Sequence, residues 1–305
     1  MAIALPLAEY RLHFTATGAV ELPPFAGSTW RGAFGHALLK LVCGQPQTTC
    51  ATCLLQPTCL YPYLFETPAS EAMLMVHGQT AAPHPYLIRP LQGGRYKAGA
   101  SLAIELVLVG ERANAALPHL LAAFEHAVAN GIGQGNGRLR PEAVEQREAD
   151  GWAPLAWPAP APQVPEPPPL PEQVNIELLT PLRLRQHNRY LGPEHFSMGA
   201  FLIAVVRRLS LLAAIHADTP PEADFAGLAQ QANGVQAQHT ALQWHDWARW
   251  SNRQARTIKM GGLLGHIALD GPSLAPFWPW LWLGQYVHAG KGCVMGLGQY
   301  RVPCG

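Results

Sequence analysis

The first half of the chain contains a cluster of cysteines with the right count for a metal site. Four thiols fall within seventeen residues, with a CxxC at their centre: Cys43, Cys50, Cys53 and Cys59. Thiolates are soft ligands, and four of them complete the tetrahedral shell that Zn²⁺ prefers. The spacing departs from the two close pairs of zinc ribbons. Loop 43–59 therefore fits either a structural zinc, which we predict, or a loop of four free thiols.

A glycine-rich loop near the end of the chain has the composition of an anion site. Glycines permit positive φ and let main-chain N–H groups approach a bulky anion, and a lysine adds a positive charge. The loop, 290–298, contains Gly290, Lys291, Gly292, Gly296 and Gly298. The alternative is a plain helix-to-strand connection that needs small residues. A similar loop at 131–137 occupies the equivalent point of the first half, which indicates two domains of common design.

Charge is distributed unevenly. The whole chain carries 21 basic and 20 acidic residues, a formal net charge of +1, which excludes a generally basic, nucleic-acid-coating protein. Residues 1–151 carry 10 basic and 11 acidic groups, whereas residues 173–305 carry 11 and 7. We expect any polyanion contact in the second half, although solvated charges are the alternative. Besides Lys291, the predicted contacts are Arg183, Arg185, Arg253, Arg256 and Lys259.

The elements that must position these residues fall into two similar sets. A proline-rich run, 152–172, predicts an extended linker between an N-terminal domain, 1–151, and a C-terminal domain, 173–305. Each half has the pattern strand, helix, strand, strand, helix, strand. That order, repeated, predicts an α+β fold of tandem ferredoxin-like (RRM-like) domains.

Local patterns support these elements. In the first half, Tyr10, Leu12 and Phe14 alternate with polar residues, as in a half-buried strand, and a helix with a stripe from Trp30 to Leu41 follows. In the second half, the apolar helix 198–216 contains two arginines and is too short to cross a bilayer cleanly. The amino terminus lacks the basic region of a signal peptide. We therefore expect a cytoplasmic protein with no membrane partner.

Several segments together resemble a known family. The loop GKGCVMGLGQYR at 290–301 resembles the glycine-rich signature of the RAMP superfamily of CRISPR-associated proteins. More narrowly, four segments resemble the precursor-crRNA-processing endoribonucleases, the sixth Cas family: LPPFAGSTWRGAFGHAL at 22–38, CLYPYLFE at 59–66, LTPLRLR at 179–185 and WSNRQARTIKMGGLLG at 250–265. The resemblance implies two ferredoxin-like folds, CRISPR repeat RNA as the partner, and other Cas proteins of an effector complex as further partners.

The resemblance also implies the chemistry. Such enzymes cut RNA without a metal, so no cofactor is expected for catalysis, and the 2′-hydroxyl attacks the adjacent phosphate. Histidine suits the proton transfers. His36 lies on the first helix away from the apolar stripe, with Lys40 one turn on, and family members often place a catalytic histidine in or near this helix. We predict His36 and Lys40 as the catalytic pair and His13 as the reserve. The alternative for His36 is an exposed surface histidine.

Two other functions stay open at the level of sequence. A non-catalytic crRNA-binding subunit of an effector complex would use the same folds and the same basic surface. A metal-stabilised scaffold for protein assembly would never bind RNA. Assays of RNA cleavage and of salt-dependent RNA binding distinguish these two functions from the endoribonuclease.

Overall fold

The computed structural model describes residues 3–67, 82–186, 188–251 and 256–303. The chain divides into two compact units. The N-terminal unit comprises Leu5–Gln163 with Ala214–Thr219, and the C-terminal unit comprises Met1–Ala4, Val164–Ala213 and Pro220–Gly305. Each unit is built around one antiparallel sheet.

The N-terminal unit has a five-stranded sheet in the order β3-β5-β1-β6-β7. Without the edge strand β7 this is the ferredoxin-like order, in which the first and third strands lie side by side at the centre. A small separate sheet pairs β2 with β4. The elements are β1 Leu7–Ala16, β2 Val20–Leu22, α1 Gly27–Val42, α2 Leu60–Phe65, β3 Tyr86–Pro90, β4 Gly94–Tyr96, β5 Ser101–Val109, α3 Glu111–Ala115, α4 Leu117–Asn130, β6 Leu139–Glu148 and β7 Gly151–Pro154.

Aromatic packing joins the helices of this unit to its sheet. Phe14 of β1 stacks on Trp30 of α1 with ring centroids 5.3 Å apart, and Phe34 of α1 stacks on Phe124 of α4 at 4.4 Å. Alternation along β1 therefore places Tyr10, Leu12 and Phe14 in the core. The predicted stripe of α1 holds to Leu38, whereas Leu41 is exposed.

The C-terminal unit repeats the design. Its four-stranded sheet has the order β11-β14-β8-β15, again ferredoxin-like, and two short hairpins pair β9 with β10 and β12 with β13. The elements are β8 Gln173–Leu182, β9 Arg185–Gln186, β10 Arg189–Tyr190, α5 Met198–His216, α6 Phe225–Gly234, β11 His239–His245, β12 Ala248–Ser251, β13 Arg256–Lys259, β14 Gly262–Asp270, α7 Trp278–Val287 and β15 Tyr300–Arg301.

Helix α5 is a core helix of this architecture. It is the one helix among the described residues that is long and apolar enough to cross a membrane by length and composition. Its side chains are nevertheless largely buried within the protein, and Phe201 packs edge-on against Tyr300 of β15. A mostly buried core helix passes the same length and composition test as a membrane span.

The proline-rich segment, predicted as an extended linker over 152–172, makes contacts near each of its ends. Residues 151–154 form β7, and Gln163 exchanges main-chain hydrogen bonds with Leu7 of the N-terminal unit. Further on, the Pro168 carbonyl accepts a hydrogen bond from the indole of Trp278, within the C-terminal unit. The division between the units falls between Gln163 and Val164. Prolines lack the main-chain donor, so the sequence pattern did not reveal these docking contacts.

Candidate functional site

In the C-terminal unit, three segments that carry predicted RNA-binding residues meet at Arg183. Its carbonyl accepts a hydrogen bond of 3.0 Å from the main-chain N–H of Lys291 in loop 290–298. A Cβ on Gly290 would lie 2.6 Å from the same oxygen, so the close approach requires glycine there. The Arg183 guanidinium reaches the other two segments, the hairpin β9–β10 and the corner between β13 and β14.

The Arg183 side chain is a buried cation with weak partners. It is 7% exposed, and its Cζ lies 4.3 Å from the ring centroid of Tyr190. One terminal nitrogen contacts the Met260 sulfur at 3.0 Å, and the other lies 3.5 Å from the Lys259 carbonyl. Its Nε has no hydrogen-bond partner, and no carboxylate in the described part of the chain forms an ion pair with it. Since an uncompensated buried charge is costly, this arrangement favours an anion nearby.

The hairpin β9–β10 adds exposed arginines next to the buried Arg183. Arg185 is paired directly across the hairpin with Tyr190, and residues opposite each other share one face of a β-ribbon. Arg185, Arg189 and Tyr190 are exposed. Tyr190 was not among the predicted site residues. An arginine-rich segment ending in tyrosine was the available signal, but the cation–π contact depends on a turn that the sequence did not define.

Several backbone groups of loop 290–298 form hydrogen bonds with β8 and the residues that follow it. Gly290, Gly292, Gly296 and Gly298 all have positive φ. Besides Lys291, the N–H of Gly298 donates to Pro181, and the Thr180 hydroxyl donates to the Gly296 carbonyl. These bonds fasten the loop to β8. The glycines therefore shape a tight connection, as the plainer alternative held, and Lys291 remains exposed.

The remaining predicted RNA contacts lie on the hairpin β12–β13. Lys259 is exposed at the end of β13, and its carbonyl contacts Arg183. Arg256 begins β13. Arg253 lies outside the described residues. The chain leaves the main sheet after β11, and β12 then pairs with β13 in this second hairpin.

The predicted catalytic pair lies in the N-terminal unit. His36 and Lys40 are both exposed on α1, and residues four apart lie on one side of a helix. Within the described residues, no hydrogen bond or ion pair orients His36. A phosphate approaching this side of α1 would meet an imidazole and an ammonium one turn apart.

His13 occupies a different place. Its neighbours Leu12 and Phe14 face the helices, so His13 points to the opposite face of the sheet. There its Nε2 lies 2.7 Å from a carboxylate oxygen of Glu145, a residue that the sequence analysis did not single out. The structure does not bring His13 and His36 together. A carboxylate that orients an imidazole is nonetheless a usual feature of proton-transfer sites.

The four cysteines line one cavity of about 490 Å³ in the N-terminal unit. Arg112 and His119 also line it. Burial, and then the nearby Glu66 carboxylate and the other three thiols, raise the pKa of the Cys50 thiol. In the described part of the chain, no group of three or more His, Cys, Asp or Glu side chains is placed to hold a metal ion. The structure thus gives the predicted zinc no support.

Comparison with known proteins connects these features. Residues 5–166, just over half of the chain, match the family model AF_1859_N, an N-terminal domain. Residues 176–300 match the model described as CRISPR-associated endoribonuclease Cas6. The chain carries a domain of the CRISPR-associated Cas6 type over its second half. Its tandem ferredoxin-like fold, predicted from element order, is confirmed.

The individual relatives of the chain are distant. An uncharacterised protein of Archaeoglobus fulgidus is 30% identical over 102 residues, which is 33% of each chain, so the match spans a third of that curated relative. A Thermus thermophilus Cas6 product complex is 15% identical, with a TM-score of 0.60 over 98% of this chain and 99% of that one. A partial Cas6-RT-Cas1–Cas2 complex is also 15% identical, with a TM-score of 0.60 over 98% and 46%. At such identities the structural likeness shows the fold.

The Cas6 match over residues 176–300 includes all of the predicted RNA-binding residues. The assignment of individual residues depends on the geometry above. Within the C-terminal unit, Arg183, Lys259, Gly290 and Lys291 are brought together, and within the N-terminal unit His36 and Lys40 form a second group.

Proposed function

We propose that this protein is an endoribonuclease that binds CRISPR repeat RNA and cleaves precursor crRNA within the repeats. The observation that carries the proposal is the meeting of the glycine-rich loop, the arginine hairpin and the Lys259 corner at Arg183, in a chain of the Cas6 type. A basic surface with an exposed aromatic ring suits single-stranded or looped RNA. The partner is repeat RNA, with other Cas proteins of an effector complex as further candidates.

The proposed chemistry is transfer within the RNA strand. The 2′-oxygen forms a bond to the adjacent phosphorus while the bond to the 5′-oxygen breaks, giving a 2′,3′-cyclic phosphate and a 5′-hydroxyl. The 2′-hydroxyl proton passes to a base, and the leaving oxygen takes a proton from an acid. We assign proton transfer to His36 and stabilisation of the developing phosphate charge to Lys40, with His13 as the reserve. No metal takes part.

A direct test is incubation of the wild-type protein with its CRISPR repeat RNA in EDTA, followed by analysis of the product ends. Cyclic phosphate and 5′-hydroxyl ends in EDTA are expected. Cleavage that stops in EDTA and returns with Mg²⁺ would contradict the metal-free mechanism. Binding measured over a range of salt concentrations accompanies the assay, because phosphate contacts weaken steeply with salt.

A second function, a non-catalytic crRNA-binding subunit, is favoured by one observation. His36 has no orienting partner among the described residues, whereas Arg183 is held by three segments. Wild-type protein that binds the repeat tightly and releases no product would establish this alternative. A scaffold that never binds RNA would show neither result.

A further inference from the structure

We propose that Tyr190 is a base-stacking residue: Arg183 holds the inner face of its ring, and the outer face receives one nucleobase of the RNA. This inference rests on the proposed function, since it names the part of the nucleotide that this surface binds. It adds a base contact to a set of predicted residues that otherwise offer only cations and main-chain amides.

The ring is already held on one side. The Arg183 guanidinium lies over it at 4.3 Å from the centroid and is itself buried, 7% exposed. Tyr190 in contrast is 42% exposed. Because the buried cation covers one face, the solvent-accessible area lies on the remainder of the side chain. A ring fixed in this way loses little conformational entropy when a base stacks on it.

Arg183 in turn is held by contacts with loop 290–298 and with Met260. Lys291 of loop 290–298 hydrogen-bonds to its carbonyl, and Met260 contacts its guanidinium. Turning Tyr190 away would remove the aromatic ring that covers the Arg183 guanidinium. The tight glycine loop therefore acts on the RNA site indirectly, by holding the arginine that holds the tyrosine.

A second arginine lies beside the ring. Arg185 stands directly across the hairpin from Tyr190, and it is exposed. No carboxylate of the described residues pairs with Arg185. Proteins that bind single-stranded nucleic acid combine such backbone-tracking charges with aromatic stacking platforms.

Other exposed aromatic side chains of the same unit have different surroundings. Trp244 donates its indole N–H to the Asp246 carboxylate at 2.8 Å, which places a negative charge beside it. Phe225, 39% exposed, packs edge-on against Trp280. Of these three, Tyr190 alone has a cation on its ring. The charge environment therefore selects Tyr190 for a polyanion.

The test compares Tyr190→Leu, Tyr190→Phe and Phe225→Leu with wild type in binding to CRISPR repeat RNA. Repeats that carry 2-aminopurine at single positions report stacking by fluorescence quenching. Tyr190→Leu should lose about 5- to 150-fold in affinity, the range of one base–aromatic stack. Tyr190→Phe keeps the ring and should bind like wild type. One 2-aminopurine position should be quenched by wild type and not by Tyr190→Leu.

An abasic nucleotide at that position, combined with Tyr190→Leu, completes a double-mutant cycle between the ring and the base. The abasic nucleotide should lower the RNA affinity of wild type and leave the affinity of Tyr190→Leu unchanged, because the variant has already lost the stack. Phe225→Leu, the matched exposed aromatic, should bind like wild type. Equal affinity of Tyr190→Leu and wild type, or an equal loss in Tyr190→Phe, would overturn the stack while leaving RNA binding in place. Wild-type protein that binds no RNA would instead overturn the proposed function.

Discussion

The two units have the same strand order but support their predicted functional residues in opposite ways. In the N-terminal unit, His36 and Lys40 stand exposed on a helix, and none of the described residues orients the histidine. In the C-terminal unit, Arg183 is buried and held by a loop, a hairpin and a strand corner. A preorganised side chain contributes binding energy at little entropic cost. An exposed histidine needs its substrate to complete the site, and catalytic hydrogen bonds often tighten only in the complex.

This contrast predicts that RNA binding and RNA cleavage respond to different substitutions. A change in the C-terminal unit should weaken RNA affinity. A change on α1 should slow cleavage while binding persists. The substitutions below either separate the two properties in this way or contradict the comparison.

The largest expected effect is on cleavage. His36→Ala should lower the rate about 100- to 10,000-fold, because it removes a proton-transfer group, and it should leave repeat affinity unchanged. Single-turnover cleavage and equilibrium binding of the same RNA measure the two properties. His13→Ala is the comparison variant, because His13 hydrogen-bonds to Glu145 on the face of the sheet away from the helices. A larger loss for His13→Ala than for His36→Ala would move the catalytic role to the His13–Glu145 pair.

The next effect is on stability and compares the two glycine-rich turns. Gly298 has φ +67, and a Cβ there would lie 1.8 Å from the Ala289 carbonyl oxygen. Gly135 has φ +76 and no atom within 4 Å of its Cβ position. Gly298→Ala should therefore lower the free energy of unfolding by about 3 kcal/mol or more, from backbone strain and overpacking together. Gly135→Ala should cost only about 1–2 kcal/mol of conformational strain.

Urea unfolding followed by circular dichroism measures both changes. If the two alanines cost the same, the close approach of the Ala289 carbonyl to Gly298 adds nothing to the cost of the substitution. RNA affinity at low urea adds a second readout. Because loop 290–298 supports Arg183, Gly298→Ala should weaken binding, whereas Gly135→Ala should not.

A smaller effect concerns exposed arginines of the C-terminal unit. Arg185→Ala should reduce the slope of log affinity against log salt by about 0.7, the value for one phosphate contact on a single strand. Arg301→Ala is the matched control, because Arg301 is also exposed but forms an ion pair with Glu177. An equal change in both slopes would show that general charge, rather than the hairpin, attracts the RNA.

The repeated ferredoxin-like order could be predicted because each element left a local signal. Alternation around Leu12, helical spacing from Trp30 to Leu38 and the two glycine-rich turns together defined both units. The packing of residues 152–172 was not predictable. Prolines give no hydrophobic period, and their carbonyls can still accept hydrogen bonds, as Pro168 does from Trp278.

The candidate site could be predicted by residue type but not by neighbourhood. Arginine and lysine near loop 290–298 indicated a basic surface, yet nothing in the spacing showed that Arg183 would be buried under Tyr190. That contact depends on a two-strand hairpin of four paired residues, too short for a periodic signal. The His13–Glu145 pair likewise depends on the register between β1 and β6, which tertiary packing sets.

The smallest expected effect compares a buried tyrosine in each unit at alkaline pH. Burial raises the pKa of Tyr10 to about 12, and burial raises that of Tyr300 well above its usual value. The unfolded tyrosine loses its proton first, near its ordinary pKa of 10.0. Stability is therefore constant below that pH and falls as the pH rises toward 12.

Tyr10→Phe removes this titration but also the hydrogen bond from the Tyr10 hydroxyl to the Asn114 side chain. At pH 7 the variant should be less stable than wild type by about 1 kcal/mol. Near pH 11 the difference should shrink to about zero, because wild type alone then pays the cost of keeping the buried hydroxyl protonated, about 1.4 kcal/mol per pKa unit. Tyr300→Phe, which loses the bond to the Leu281 carbonyl, should behave alike. A stability difference that is equal at both pH values would show that the unfolding of these cores does not depend on tyrosine ionisation.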